Sequence, residues 1–243
     1  NRYSIQLMAT NNSIAKERDI LNNLSTNSVD GIIVEGTKTA LPNPNISFYR
    51  ELAGRNIPLV FFNGYYPELL NGPRYRIVYV VTDDYGGAFK ATSDLIQRGH
   101  RSIGGIFKSD DIQGIRRFSG YIDALTGADL RVNDDDILWF NTENKADIGL
   151  QVNLAKLVRE CSAVVCYNDE VALQLFACLE THHGGITAIR SFDGTFTPRQ
   201  GNIDFKSYGH PKEKLGQLTA ERIIAIMGGQ KEESLVMPWE AEE

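Results

Sequence analysis

The stretch S-I-G-G-I-F-K-S-D-D-I-Q-G-I-R-R-F-S-G-Y, residues 102–121, reads as strand, polar turn and helix. Its first half is a short apolar run with glycines, and from Ile112 onward apolar residues recur at helical spacing. Between the halves lie Lys108, Ser109, Asp110 and Asp111, with Gln113 and Arg117 on the first helical turns. Ligands of parallel α/β sheets bind at the carboxyl ends of the strands, so this turn gathers donors and acceptors where a site belongs. The competing reading of the same residues is a solvated loop whose aspartate caps the helix.

The same alternation runs outward in both directions. Towards the start, residues 4–9 alternate like a strand and residues 13–24 read as a helix. D-G-I-I-V (30–34) reads as a buried strand ending in the polar turn E-G-T-K (35–38), followed by a helix at 47–55 and the strand P-L-V-F-F-N (58–63). A strand at 77–82 leads to a helix at 85–97, which Gly99 closes. Beyond the quoted stretch come strand 137–140, helix 146–160, strand 163–166, helix 170–180 and strand 187–192. A long loop (195–202), strand 205–208, helix 211–227 and a short strand at 235–237 precede the tail W-E-A-E-E, which reads as solvated. Strict alternation of helices with continuously apolar strands predicts an α/β fold of parallel sheets with helices on both faces.

At 243 residues, 42% apolar and 23% charged, the chain has room for two modest domains with real cores. A net charge of −6 leaves no basic face for phosphate backbones or anionic membranes, so this chain alone is not expected to bind nucleic acid. No apolar run approaches the ~20 residues that span a bilayer, and the opening N-R-Y-S-I-Q has no signal-peptide core. Cys161, Cys166 and Cys178 form no C-x-x-C pair and read as small, reduced hydrophobes of a cytoplasmic protein. His100, His182, His183 and His210 lack metal-ligand spacing, no G-x-S-x-G, G-x-G-x-x-G or P-loop occurs, and the acidic runs 110–111 and 134–136 read as solvated. No catalytic residue, metal or cofactor is therefore expected.

Six short motifs fall in one order: V-D-G-I-I-V (29–34), T-D-D-Y-G-G (82–87), R-F-S-G-Y (117–121), Y-N-D-E-V-A-L (167–173), S-F-D (191–193) and H-P-K-E-K-L-G (210–216). Together they resemble the effector-binding core of bacterial transcriptional regulators of the LacI/GalR type across nearly the whole chain. I-V-E-G-T-K (33–38), I-F-K-S-D-D-I-Q-G-I-R-R (106–117) and G-H-P-K (209–212) are similar to the arabinose-responsive repressors of that family, which join such a core to a winged-helix DNA-binding domain of the GntR type. The resemblance implies a periplasmic-binding-protein-like fold of two Rossmann-like lobes, with an effector in the cleft between them. Residues 1–81 and 209–228 would form the N-terminal lobe, and 82–208 with 229–243 the C-terminal one. It also implies a homodimer, lobe closure on the effector, and operator DNA bound only through an N-terminal domain not present here. The family core normally opens with a strand and helix before residue 4 that this chain lacks. In S-F-D-G (191–194), Gly194 stands where many relatives carry a second carboxylate.

For a monosaccharide such as L-arabinose, the resemblance points to Arg117, whose guanidinium fork can donate to two adjacent oxygens. Asn168 and Asp193 follow apolar strands in the same lobe, and Asn63, Glu35 and Lys38 lie in the other. Lys108 and Gln113 are carried by the likeness to the arabinose-responsive repressors. Phe107 and Phe192 would stack on the sugar's C–H face, with Tyr65 and Tyr66 at the rim. Asn168 is read as ligand-facing and Asp169 as the helix cap, with capping by Asn168 as the rival. Two other functions compete: a periplasmic sugar-binding protein of a transport system, and an enzyme using Asp83 or Asp193 as base.

Overall fold

Nearly every apolar run becomes a strand in one of two sheets. The computed structural model describes residues 3–26, 29–70, 77–150, 152–181, 184–198 and 203–241. Two compact units are present: unit 1 comprises Asn1–Val81 and Glu213–Val236, unit 2 Thr82–Lys212 and Met237–Glu243.

In unit 1, α1 (Ile14–Thr26), β1 (Ile32–Val34), α2 (Ile46–Gly54), β2 (Leu59–Phe62) and β3 (Ile77–Thr82) alternate, and α7 (Lys212–Met227) and β9 (Leu235–Met237) complete the unit. The sheet order is β1-β2-β3-β9, with β1, β2 and β3 parallel. Leu21 of α1 and Tyr49, Leu52 and Ala53 of α2 close over Leu59 and Phe61 to form one core. Ile223 of α7 reaches Gly31, where an added Cβ would stand 3.0 Å from it.

Unit 2 holds α3 (Asp84–Gln97), β4 (Ile103–Lys108), α4 (Ile112–Gly127), β5 (Ile137–Phe140), α5 (Val152–Glu160), β6 (Ala163–Cys166), α6 (Asp169–Thr181), β7 (Ala188–Phe192), β8 (Asp204–Gly209) and β10 (Glu240–Ala241). Its sheet runs β10-β8-β7-β6-β4-β5, and all neighbours are parallel except β10, which pairs antiparallel with β8. Two cores lie on its faces. One gathers residues of α5 and α6, the other residues of α3 and α4, as expected when parallel strands are covered on both sides. The S-G-Y glycine explains how α3 and α4 come so close: a Cβ at Gly120 would stand 2.1 Å from the carbonyl oxygen of Tyr85. Caps start the helices where the sequence changes from apolar to polar. Asp83 accepts from the Gly86 N–H at 2.9 Å and Asp111 from that of Gly114 at 2.7 Å. Cys161, Cys166 and Cys178 are free and buried.

Several expectations need correction. Residues 4–9 form no strand, and Ile5 and Leu7 are 92% and 94% exposed. Alternation supplies a strand's pattern, yet a strand exists only against a partner. β1 is an edge strand rather than a buried one, and its Ile33 is 45% exposed. The helix expected at 146–160 is a 3₁₀ turn, Lys145–Leu150, followed by α5, with the poor helix former Gly149 near the break. The tail is not all solvated: Trp239 is buried and β10 joins the unit 2 sheet. The segments after residue 208 divide differently from the expected lobes, because β8 runs through Gly209 in unit 2 while β9 lies beside β3 in unit 1. His182, His183 and part of the 195–202 loop lie outside the described residues. Among the described residues, no helix is long and apolar enough to cross a membrane.

Candidate functional site

Unit 2 concentrates polar groups at the carboxyl ends of β4, β6 and β7. Arg117, one helical turn into α4, is only 2% exposed. Its Nε and Nη2 donate to Oδ1 of Asp84 at 2.9 and 2.8 Å, and Nη1 donates to the carbonyl of Tyr167. The guanidinium carbon lies 4.5 Å from the ring centre of Phe192, 4.8 Å from Tyr167 and 5.0 Å from Trp239. Three aromatic faces therefore surround one cation, each able to stabilise it through its quadrupole. Burial pushes the Asp84 carboxyl up to about 6, although Arg117 pulls the other way.

Around this centre stand groups with hydrogen-bonding capacity to spare. Nε1 of Trp239 and Nδ1 of His210 are buried without a hydrogen-bond partner among the described residues, and the two rings meet edge to face at 4.8 Å. A buried polar atom left unpaired costs about 1–3 kcal/mol, a cost that a ligand oxygen would remove. Burial lowers the pKa of His210 while Asp193 works against that shift. Asp193 also acts electrostatically on Arg117 and sits at φ +100°. Asn63 (φ +58°) and Lys38 (φ +48°), after β2 and β1 of unit 1, share this left-handed backbone. Such conformations are sparsely populated for residues with a side chain and cluster at functional sites.

Lys108 at the end of β4 is drawn inward. Its Nζ lies 2.9 Å from Asp111 and 3.3 Å from Asp110, while Tyr167 donates its hydroxyl to Asp111 at 2.7 Å. Burial opposes the charge, but Asp111 and Asp110 hold the Lys108 ammonium above its ordinary pKa. Tyr167 thus links the Lys108–Asp111 pair to the Arg117 centre. Gln113 is half-buried on the first turn of α4. In unit 1, Asn63 donates to Glu35 at 3.2 Å, which joins the ends of β1 and β2, and Lys38 shares the 35–38 turn.

Sequence reading assigned some side chains to the wrong work. Phe107 does not face a ligand: it is fully buried in the core and packs against Phe118, Tyr121 and Trp139. It lies inside the sheet layer because its side chain points to the α3/α4 face, opposite its polar neighbours. Tyr66 is fully buried rather than at a rim, and Tyr65 stacks on Tyr79 at 4.3 Å. The cap of α6 is Asn168 rather than Asp169. Asn168 caps α6, accepting from the Val171 N–H at 3.1 Å, whereas Asp169 reaches the turn after β7. Its Oδ2 accepts from the Thr195 N–H at 2.7 Å and the Phe196 N–H at 3.1 Å, and its Oδ1 from the Ser207 hydroxyl at 2.7 Å. Asn168→Ala should lower stability by about 1 kcal/mol in denaturant unfolding, and Asn168→Asp, which keeps the cap, should not. Asp83, considered as a base, is the cap of α3. Asp84, Tyr167, Trp239 and His210 were not singled out. The first three pack on Arg117 from α3, the end of β6 and the tail, and no local pattern marks a contact that only folding makes.

The family described as periplasmic binding proteins and sugar binding domain of LacI family matches residues 3–240. The chain belongs to that family. It is 32% identical over 232 residues to the arabinose metabolism transcriptional repressor of Halalkalibacterium halodurans, covering 93% of this chain and 60% of the relative. The arabinose metabolism transcriptional repressor of Geobacillus stearothermophilus is also 32% identical, over 93% of this chain and 62% of its own length. The chain thus spans about three fifths of these relatives. Among solved structures, a putative transcription regulator from Staphylococcus saprophyticus superposes with a TM-score of 0.81 at 16% identity, covering all of this chain and 86% of that one. A periplasmic binding protein/LacI transcriptional regulator from Alkaliphilus metalliredigens complexed with D-xylulofuranose gives 0.76 at 21% identity, covering 100% and 86%. At those identities the superpositions establish the fold.

Proposed function

We propose that this chain senses a neutral monosaccharide, a pentose such as L-arabinose, for a bacterial transcriptional repressor and turns nothing over. The observation that carries the reading is the Arg117 centre, a buried cation ringed by aromatics beside unpartnered Trp239 and His210 nitrogens. Vicinal hydroxyls both donate and accept, so they suit a guanidinium with N–H groups left over, an indole donor and the open acceptor Asp193. The Nδ2 of Asn168 remains for a ligand oxygen after its Oδ1 caps α6. Phe192 already holds Arg117 from below, so its contribution is to support that cation rather than to meet the sugar alone. Glu35, Lys38 and Asn63 of unit 1, with Lys108 and Gln113 of unit 2, complete the proposed contacts. The 32% identity to two arabinose metabolism repressors supports the choice of sugar. Homodimerisation and operator binding belong to the full-length repressor in this reading, the latter through a separate DNA-binding domain.

The test is calorimetry of the chain with L-arabinose, D-xylose, D-ribose, D-galactose and D-glucose. Saturable heat is expected for one or a few of them, with L-arabinose first. Absence of binding by all five, or chemical turnover of any, overturns the reading.

A further inference from the structure

Unit 1 buries one carboxylate deeply: Glu17 of α1 is 2% exposed. Its Oε1 accepts from the hydroxyls of Tyr49 at 2.7 Å and Tyr66 at 2.6 Å, and its Oε2 from the side-chain amides of Asn43 at 2.7 Å and Asn45 at 2.8 Å. Every partner is a donor, so the arrangement is made for an ionised carboxylate. A buried charge persists only where hydrogen bonds replace its hydration, and here they draw together α1, α2 and the chain on either side of β2.

Tyr66 is where this cluster meets the 35–38 turn. The Tyr66 hydroxyl, within donating distance of both Glu17 and the Thr37 carbonyl, the latter at 2.9 Å, also accepts from the backbone N–H of Thr37 at 2.6 Å. The ring lies under Gly36, where an added Cβ would stand 3.3 Å from it and 2.4 Å from the Thr39 methyl. Next in the chain, Lys38 takes its left-handed conformation with its N–H bonded to Asn12 at 2.9 Å. Tyr49 gives the same carboxylate oxygen an equivalent hydrogen bond but makes none to the turn.

We propose that Tyr66, oriented by Glu17, is the positioning residue of the 35–38 turn and sets where Glu35 and Lys38 meet the effector. The link to the effector rests on the sugar-sensing reading above. Tyr66→Phe and Tyr49→Phe form a matched pair, since each removes one buried hydroxyl from the same oxygen of Glu17. Both should lower the melting temperature, Tyr66→Phe by more because it also gives up the bond to Thr37. Tyr66→Phe alone should speed amide exchange at Thr37 at least about tenfold, the effect of one lost hydrogen bond. It should also weaken binding of whichever sugar of the calorimetry panel the wild-type chain takes, by about tenfold. Tyr49→Phe should leave both within about twofold, well under the effect of one hydrogen bond. Equal effects of the two variants on Thr37 exchange, or equal affinities where the wild type binds, overturn the proposal. If the wild type binds none of the sugars, the sugar reading fails on its own, and the exchange comparison still decides whether Tyr66 fixes the turn.

Discussion

Arg117→Ala is expected to abolish sugar binding, with at least about a hundredfold loss of affinity, and to cost the fold about 3–5 kcal/mol. The first effect follows from removing a charged donor at the centre of the proposed site. The second follows from what remains. Asp84 is 5% exposed and Arg117 is its ion-pair partner, so truncating Arg117 leaves a carboxylate buried and uncompensated. The truncation also opens a hole among Tyr167, Phe192 and Trp239. The sign of the pH dependence identifies the mechanism. In the wild type Asp84 ionises near 6 because burial raises it despite Arg117, whereas in the unfolded chain an aspartate ionises near 3.9. Without Arg117 the folded-state value moves further up. Below about pH 6 the carboxyl is neutral in both folded proteins, and the stability deficit of the variant should stay constant. Above it the wild type ionises while the variant holds its proton or bears an unpaired charge, so the deficit should grow as pH rises to 8. Urea unfolding of both proteins from pH 5 to 8 measures this. Adding Asp84→Asn to the variant should flatten the dependence, and a deficit that shrinks with rising pH contradicts the account.

Asp169→Ala should cost about 3 kcal/mol and at least about tenfold in sugar affinity, although Asp169 is not itself among the proposed contacts. Its carboxylate is 2% exposed and ties the turn after β7 with bonds from Thr195, Phe196 and Ser207, while Ser207 accepts in turn from the Gly194 N–H at 3.0 Å. Truncation strands those donors and releases the unusual backbone of Asp193, whose φ is +100°. Asp169→Asn retains one acceptor oxygen and should lose about half as much stability. Thermal unfolding and calorimetry on the two variants check both effects. Unchanged affinity in Asp169→Ala would show that the position of Asp193 does not depend on this tether.

The apolar runs and their punctuation determined the α/β alternation by themselves. A-V-V-C or I-V-Y-V-V-T cannot be left in water, and helices with one apolar stripe must cover them, so parallel sheets with helices on both faces follow from periodicity alone. A capping aspartate before α4 was legible for the same local reason, since a helix start needs an acceptor within three residues, whereas Asp83 drew attention only as a candidate base. The order of short motifs also carried family membership.

Tertiary structure decided the partners, because a contact between residues far apart in sequence leaves no periodic trace. Asp84 reads as one more acidic residue at a helix start, yet packing of α3 on α4 through Gly120 makes it the counter-charge of Arg117. Trp239 sits in an acidic tail that looks solvated, and only pairing of β10 with β8 turns its ring onto the guanidinium. Asn168 and Asp169 are adjacent, and either could cap. Which one does depends on where the turn after β7 lies, since the backbone N–H groups of Thr195 and Phe196 find their acceptor in Asp169. Residues 4–9 show the converse: their alternation is a strand's, but a ladder needs a neighbour, and a sequence pattern cannot provide one.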